Sequence, residues 1–282
     1  MKVLVQNYSS RNSTEAIYFQ QTMKTIGIEA VLWNQNQIST YDIFDRFKPD
    51  VFIAGHNHLT SDIIEYLSHS KTDTVLNVTG LNESQSNTLN TILIDRKIKV
   101  PFVFTNTPDS IPEAKLKDFK SHNILPGADL FIPRDNSLDF TLDAIRIYTN
   151  KDLDYSYENN LDWHRTYHMT GLYQSDKFDF EGNVATLGAL YNKYKEICFF
   201  GNPENIFSQL VFDAMFVNDN VRLLSDDQQK MSKIITGIFK TGNIQEQIKP
   251  KHTCISRTQR LLSKLGVDIN NNVFEQMIGS LV

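Results

Sequence analysis

A chain of 282 residues exceeds what one compact core usually occupies, so two domains are the natural expectation. Hydrophobic residues at 40% and charged residues at 22% describe an ordinary globular protein, and a net charge of -5 supplies no global positive field for nucleic acid, though a local basic groove stays open. No apolar run approaches the ~20 residues of a bilayer span, Met1 to Val5 is too short for a signal peptide, and Cys198 and Cys254 lie outside any Cys-x-x-Cys spacing; the chain reads as cytoplasmic, without a disulfide scaffold or structural zinc.

Lys2 to Gln6 reads as a first strand, followed by the polar loop from Asn7 through Tyr8 and Ser9 to Asn12. Ser13 caps a helix whose apolar spacing runs to a stop at Gly27, and Glu29 to Trp33 is the next strand. A short helix from Tyr41 to Phe47 ends at Pro49, and the uniformly apolar segment Asp50 to Gly55 is a buried strand. Ser61 opens a helix to about Ser68, Thr74 to Val78 is a strand, Asn82 to Lys97 a long helix, and Pro101 to Thr105 a further strand. Apolar strands separated by helices indicate a parallel sheet covered on both faces, wound by right-handed crossovers into a Rossmann-like, doubly wound domain. Its ligands are expected at the loops after the strands, which hold Asn7-Tyr8-Ser9, His56-Asn57-His58, Thr79-Gly80 and Asn106-Thr107.

The second half alternates less regularly. Ala144 to Tyr148 reads as a strand, and residues 150 to 182 as loops around short elements. Then follow a helix from Asn183 to Tyr194, a strand from Ile197 to Phe200, a helix from Glu204 to Phe216, a strand from Val221 to Leu224, a helix from Asp227 to Phe239, and a last helix from about Thr253 to Leu265. This predicts a second doubly wound α/β domain over 131-282, after a first over 1-130, the boundary falling near Pro126 to Pro133.

The most informative segment is the strand, turn and helix around Gly201-Asn202-Pro203. First-turn amides of a helix have no intrahelical partner and sit at the positive end of its dipole, a ready site for a diphosphate. Asp213 is two turns on, spaced to share a face with Asn205 and Gln209, and its carboxylate would accept hydrogen bonds from both hydroxyls of a ribose. The competing reading is that these three polar residues form the solvent face of an amphipathic helix.

This segment resembles the retaining glycosyltransferases of the GT-B fold, in particular the group related to bacterial spore-maturation proteins. Asp213-Ala214-Met215 stands where that family has a Glu-Ala-Met/Leu ending, Asn205 where many members carry a second Glu, and Ser208 where a Gly is common. His252-Thr253, Arg257 and Leu261-Leu262 are similar to a His-Thr-x-x-x-Arg-x-x-x-Leu-Leu signature of the family's terminal helix, and the likeness spans roughly residues 196 to 265. The resemblance implies two Rossmann-like domains facing a cleft, a nucleotide-sugar donor on the C-terminal domain, an acceptor on the N-terminal one, no metal or other cofactor, and retention of stereochemistry. The donor would contact Gly201, Asn202, Asn205, Ile206, Ser208, Gln209 and Asp213, and the acceptor Asn7, Tyr8, Ser9 and Thr79.

His56 and His58 stand beside the same edge and would contact the donor or take a proton from the acceptor, the plain alternative being exposed loop histidines. Two histidines without further ligands do not make a metal site. Asp152-Leu153-Asp154 matches the metal-binding Asp-x-Asp of the other large glycosyltransferase fold, but reads here as a solvated turn. The aromatic and basic stretch around Trp163, with Tyr155, Tyr157 and Tyr173, contains Arg165 and Lys177, the candidates for neutralising the leaving diphosphate; a small core under a long loop is the competing account. No Gly-x-Gly-x-x-Gly follows the first strand and no Gly-x-x-x-x-Gly-Lys-Ser/Thr occurs, which argues against an NAD-type Rossmann site and a P-loop NTPase. Abundant Asn, Ile and Lys hint at an AT-rich genome such as a phage's, so an enzyme that glycosylates hydroxymethylated cytosines in DNA is one alternative; a degenerate sugar-nucleotide-binding protein is another.

Overall fold

A computed structural model describes residues 1–7, 15–108, 116–128, 142–148, 165–168, 191, 194–203, 206, 209–239, 244–267 and 271–279. The chain divides into two compact units. The first comprises Met1–Ser9, Glu15–Leu125 and Arg257–Ser280; the second centres on Pro126–Ser256. The chain passes to the second unit between Leu125 and Pro126, and the return of Arg257–Ser280 to the first unit is a long-range event that no local pattern announces.

The first unit is an α/β layer structure. Its strands are β1 (Lys2–Gln6), β2 (Glu29–Trp33), β3 (Val51–Gly55), β4 (Asp73–Asn77), β5 (Val103–Thr105) and β6 (Ser121–Asn123), in one sheet of order β2-β1-β3-β4-β5-β6. Every pairing is parallel. The connecting helices are α1 (Glu15–Thr25), α2 (Thr40–Phe47), α3 (Ser61–His69) and α4 (Glu83–Asp95). Leu4, Phe52, Ala54, Leu76 and Val103 form one core with Ile43, Phe44 and Phe47 of α2, Ile63 and Leu67 of α3, and Leu89 and Leu93 of α4. Alternation along each strand sends Val3, Val5, Ile53, Val75 and Phe104 to the opposite face, where Phe19 of α1 meets Phe104 edge-on. Trp33, Phe44 and Phe52 close the first core at ring separations of 5.1 to 6.1 Å, and the indole N–H donates to Ile38 O at 2.8 Å.

Local chemistry sets the boundaries. Gly27 at φ 83 ends α1, with Ile28 N–H reaching back to Met23 O, as its sequence position suggested. α2 is capped by Ser39 and stops because Lys48, ahead of Pro49, adopts a left-handed φ of 51. Asn82 and Gln85 form a reciprocal capping box at α4.

The second unit holds a parallel sheet of order β10-β9-β7-β8, built from β7 (Leu142–Tyr148), β8 (Arg165–His168), β9 (Tyr194–Phe200) and β10 (Val221–Leu224). β8 lies within the stretch read from sequence as loops around short elements, and β9 begins at Tyr194, the expected last residue of a helix, rather than at Ile197. Tyr191 is helical; the rest of that expected helix falls outside the described residues. α5 (Gln209–Val217) follows β9, α6 (Gln228–Ile238) follows β10 with Asp227 capping Lys230 N–H at 2.9 Å, and α7 (Ile244–Lys251) leads to α8 (Cys254–Lys264) and α9 (Asn271–Gly279). From Val211 to Val217 every side chain of α5 is buried. Gly127 lies so close to the start of α8 that a Cβ there would sit 2.4 Å from Thr253 C and O.

Candidate functional site

Each parallel sheet presents its C-terminal edge; Asn7, His56, His58, Thr79, Gly201 and Asn202 follow strand ends there, whereas Arg165 opens β8 and so stands at the N-terminal end of that strand. In the second unit β9 delivers Phe200 to the edge. Gly201 N–H donates to Leu224 O at 3.0 Å, which ties the turn to the neighbouring strand β10. Asn202 is exposed, Pro203 is buried, and Ile206 N–H donates to Asn202 O at 3.0 Å, but Ile206 itself is not helical and α5 begins at Gln209, beyond the expected start at Glu204. Ile206 is wholly buried, a packing residue of this turn. Asn205 and Ser208 lie outside the described residues, as do the side chain of Gln209 and those of Arg165 and of Lys177; so do Asp152, Asp154, Trp163 and the three tyrosines Tyr155, Tyr157 and Tyr173.

Asp213 has no solvent exposure. The solvent-face reading therefore does not describe it. Its helix sequence, Leu210-Val211-Phe212-Asp213-Ala214-Met215-Phe216-Val217, is apolar around that one carboxylate. A buried carboxylate acts at low local dielectric, where its hydrogen bonds count for more than in water. Beside it Phe212 stacks on His252 at 5.5 Å between ring centres, and Phe239 meets the same imidazole edge-on at 5.4 Å. Next in sequence, Thr253 caps α8 through its side chain to Ser256 N–H at 3.1 Å, and Ser256 Oγ accepts from Thr253 N–H at 2.9 Å.

Arg257 completes the terminal signature and belongs to the first unit. Its guanidinium is 2.9 Å from Glu15 Oε1, with both side chains 6% exposed, and it donates to Asn106 Oδ1 at 2.5 Å. The same group lies over the rings of Phe19 and Phe104. Glu15 also accepts from the amides of Asn77 at 3.3 Å and Asn106 at 3.1 Å. Asn77 Oδ1 takes two further bonds, from Thr79 N–H at 3.0 Å and Thr79 Oγ at 2.6 Å, while Thr79 Oγ accepts from Asn106 N–H at 2.8 Å. The predicted acceptor residue Thr79, itself half-buried, is thus engaged in a polar cluster at the ends of β4 and β5. Sequence reasoning singled out neither Glu15 nor Asn77; the one local hint was an acidic residue in the first turn of α1.

At the ends of β1 and β3, Asn7 is exposed and its N–H donates to Trp33 O at 2.7 Å. Tyr8 and Ser9 lie outside the described residues. His56, Asn57 and His58 form one 3-10 turn directly after β3. His56 Nδ1 is 3.2 Å from Asn77 O, and His58 O accepts from Gln6 Nε2 at 3.0 Å. Burial pushes the pKa of both imidazoles below its ordinary value; for His56 the Asn77 carbonyl partly opposes this and His58 adds to it. Both rings are therefore neutral at neutral pH and able to accept a hydrogen bond or a proton.

Among the described residues no cluster of three or more His, Cys, Asp or Glu is arranged to hold a metal ion, and no helix is long and apolar enough to cross a membrane. No protein-family model matches the chain, and no curated protein matches it.

Proposed function

We propose that the protein is a glycosyltransferase that moves a sugar from a nucleotide-sugar to an acceptor, with two α/β domains in the GT-B manner and, as the resemblance implies, without a metal and with retention at the sugar carbon. The observation that carries this reading is the unit made by β9, the Gly201-Asn202-Pro203 turn and α5, with the single carboxylate of Asp213 withdrawn from water in the first half of that helix. The donor's diphosphate would lie at the turn and its ribose on Asp213. Since Asp213 is fully covered, a hydroxyl reaches it only when a neighbouring side chain gives way, so donor binding includes a local rearrangement. The acceptor would approach the first unit beside His56 and His58. Catalysis would come from hydrogen-bond donors aimed at the departing diphosphate and from water exclusion.

The reading is tested by incubating the protein with UDP-, GDP-, CMP- and ADP-sugars without acceptor and following release of the free nucleotide. Slow hydrolysis of one donor is expected, and its loss in Asp213→Ala. Binding of a donor without any turnover would instead favour a sugar-nucleotide-binding protein, a reading to which Asn205 in the place of a Glu lends weight.

A further inference from the structure

The first sheet reverses its winding between β1 and β3: the chain leaves β1 towards β2 on one side and leaves β3 towards β4 on the other. Ligands of open parallel sheets bind at such a reversal. Farther along the same edge the polar groups of Asn77, Thr79, Asn106, Glu15 and Arg257 are bonded to one another, and the charge of Arg257 is met by Glu15, although its Nε is buried without a hydrogen-bond partner. Two groups nearer the reversal are different.

Gln6, at the end of β1, is 2% exposed; its Nε2 donates to His58 O, and its Oε1 is buried with no hydrogen-bond partner. A carbonyl such as His58 O only accepts, so this amide cannot be turned the other way round. An acceptor buried without a partner costs stability and calls for a donor that the described residues do not supply. His56 is fixed by the same logic. Facing the carbonyl of Asn77, its Nδ1 carries the hydrogen, and Nε2 of the neutral ring is left as an acceptor. Both groups therefore ask for donors.

We propose that the β1/β3 end of this edge binds a neutral, hydroxyl-bearing ligand of the sugar class, whose O–H groups donate to Gln6 Oε1 and His56 Nε2. This rests on the glycosyl-transfer reading and narrows its acceptor to a carbohydrate hydroxyl. A phosphate-rich acceptor such as DNA fits less well, because the cation Arg257 at this edge is buried and already paired with Glu15. Phosphates are bound by donors and cations, not by two lone-pair acceptors.

The test uses the full chain, with calorimetry and ligand-observed NMR. The probes are the methyl glycosides of glucose, galactose and mannose, their monodeoxy analogues, glucose 6-phosphate, and a DNA duplex containing hydroxymethylcytosine. At least one methyl glycoside should bind, and removing one of its hydroxyls should weaken binding about tenfold. Gln6→Met should erase that discrimination between the glycoside and its deoxy analogue; His56→Phe, at a half-buried position, provides the same reading if Gln6→Met does not fold. The proposal is overturned if no methyl glycoside binds, if only the phosphorylated probes bind, or if both variants discriminate as the wild type does. Nucleotide-sugar binding measured on the same samples separates the two ideas. Its retention without glycoside binding removes this inference alone, whereas loss of both removes the glycosyl-transfer reading as well.

Discussion

Replacing Arg257 by methionine tests what holds the C-terminal segment in the first unit. Methionine keeps an unbranched apolar stem near Phe19 and Phe104, whose ring centres lie 5.0 and 5.9 Å from the guanidinium carbon. What disappears is the counter-charge 2.9 Å from Glu15, at a place where both side chains are 6% exposed, together with the donor to Asn106 Oδ1. Glu15 would then face the neutral amides of Asn77 and Asn106 with no cation beside it. Breaking a buried pair from one side strands a charge and costs about 3–5 kcal/mol. At about 2–4 °C per kcal/mol for a protein of this size, the melting temperature should drop by about 10 °C. Glu15→Gln in the same chain removes the stranded charge, so the double variant should recover a good part of the loss, with a coupling of about 2 kcal/mol or more in the cycle. Urea and thermal unfolding of the four proteins provide the values. A fall below about 2 °C for Arg257→Met, or a Glu15→Gln change that only adds to the loss, would refute the reasoning.

Other consequences are as direct. Gly127→Ala places a Cβ 2.4 Å from Thr253 C and O and 2.7 Å from Cys254 N, all backbone atoms, so it should cost about 2 kcal/mol or more in thermal unfolding; a neutral result would mean that the start of α8 shifts freely. Asn82→Ala removes one side of the capping box on α4 and should cost about 1 kcal/mol, read from the urea midpoint. His56, His58 and His122 all have pKa values pushed below the ordinary 6.5, chiefly by burial, so the unfolded chain binds more protons than the folded one below that pH. Their contribution is complete above 6.5 and is lost as the pH falls through the folded values. Melting temperatures should therefore decline on acidification from neutral pH, and less steeply in His56→Gln; equal slopes would contradict the assignment.

Much of the first unit was legible because its strands are short, apolar and closed by recognisable turn residues. β1 and β2 have the predicted limits, and Gly27 and Asn82 act as the stop and start their chemistry suggests. β6 escaped because Ser121-His122-Asn123 has no apolar alternation and joins the sheet only through its pairing with β5. α7 escaped because Pro250, near its end, reads as a breaker, although the following His252 N–H still reaches Ile248 O at 2.8 Å. The candidate site was legible in parts only. Periodicity ranked Asp213 as polar-face or ligand-binding with equal ease, and only the burial of Val211 through Val217 decides against the solvated face. The pairing of Glu15 with Arg257 joins opposite ends of the chain, so spacing cannot reveal it. Gln6 looked like an ordinary strand residue, since an unmet acceptor is a property of packing and not of residue order.

The central claim, that the β9–α5 unit with Asp213 receives a nucleotide-sugar, is tested most directly by a thermal-shift titration of the full chain with UDP-, GDP-, CMP- and ADP-linked sugars. A donor that binds the folded state alone, present at about 100 times its Kd, stabilises by about 2.7 kcal/mol, a shift of several degrees. The account predicts such a shift for one nucleotide class in the wild type and its absence in a folded Asp213→Asn variant. A wild type that responds to none of the four, or a variant that responds as fully as the wild type, would contradict it.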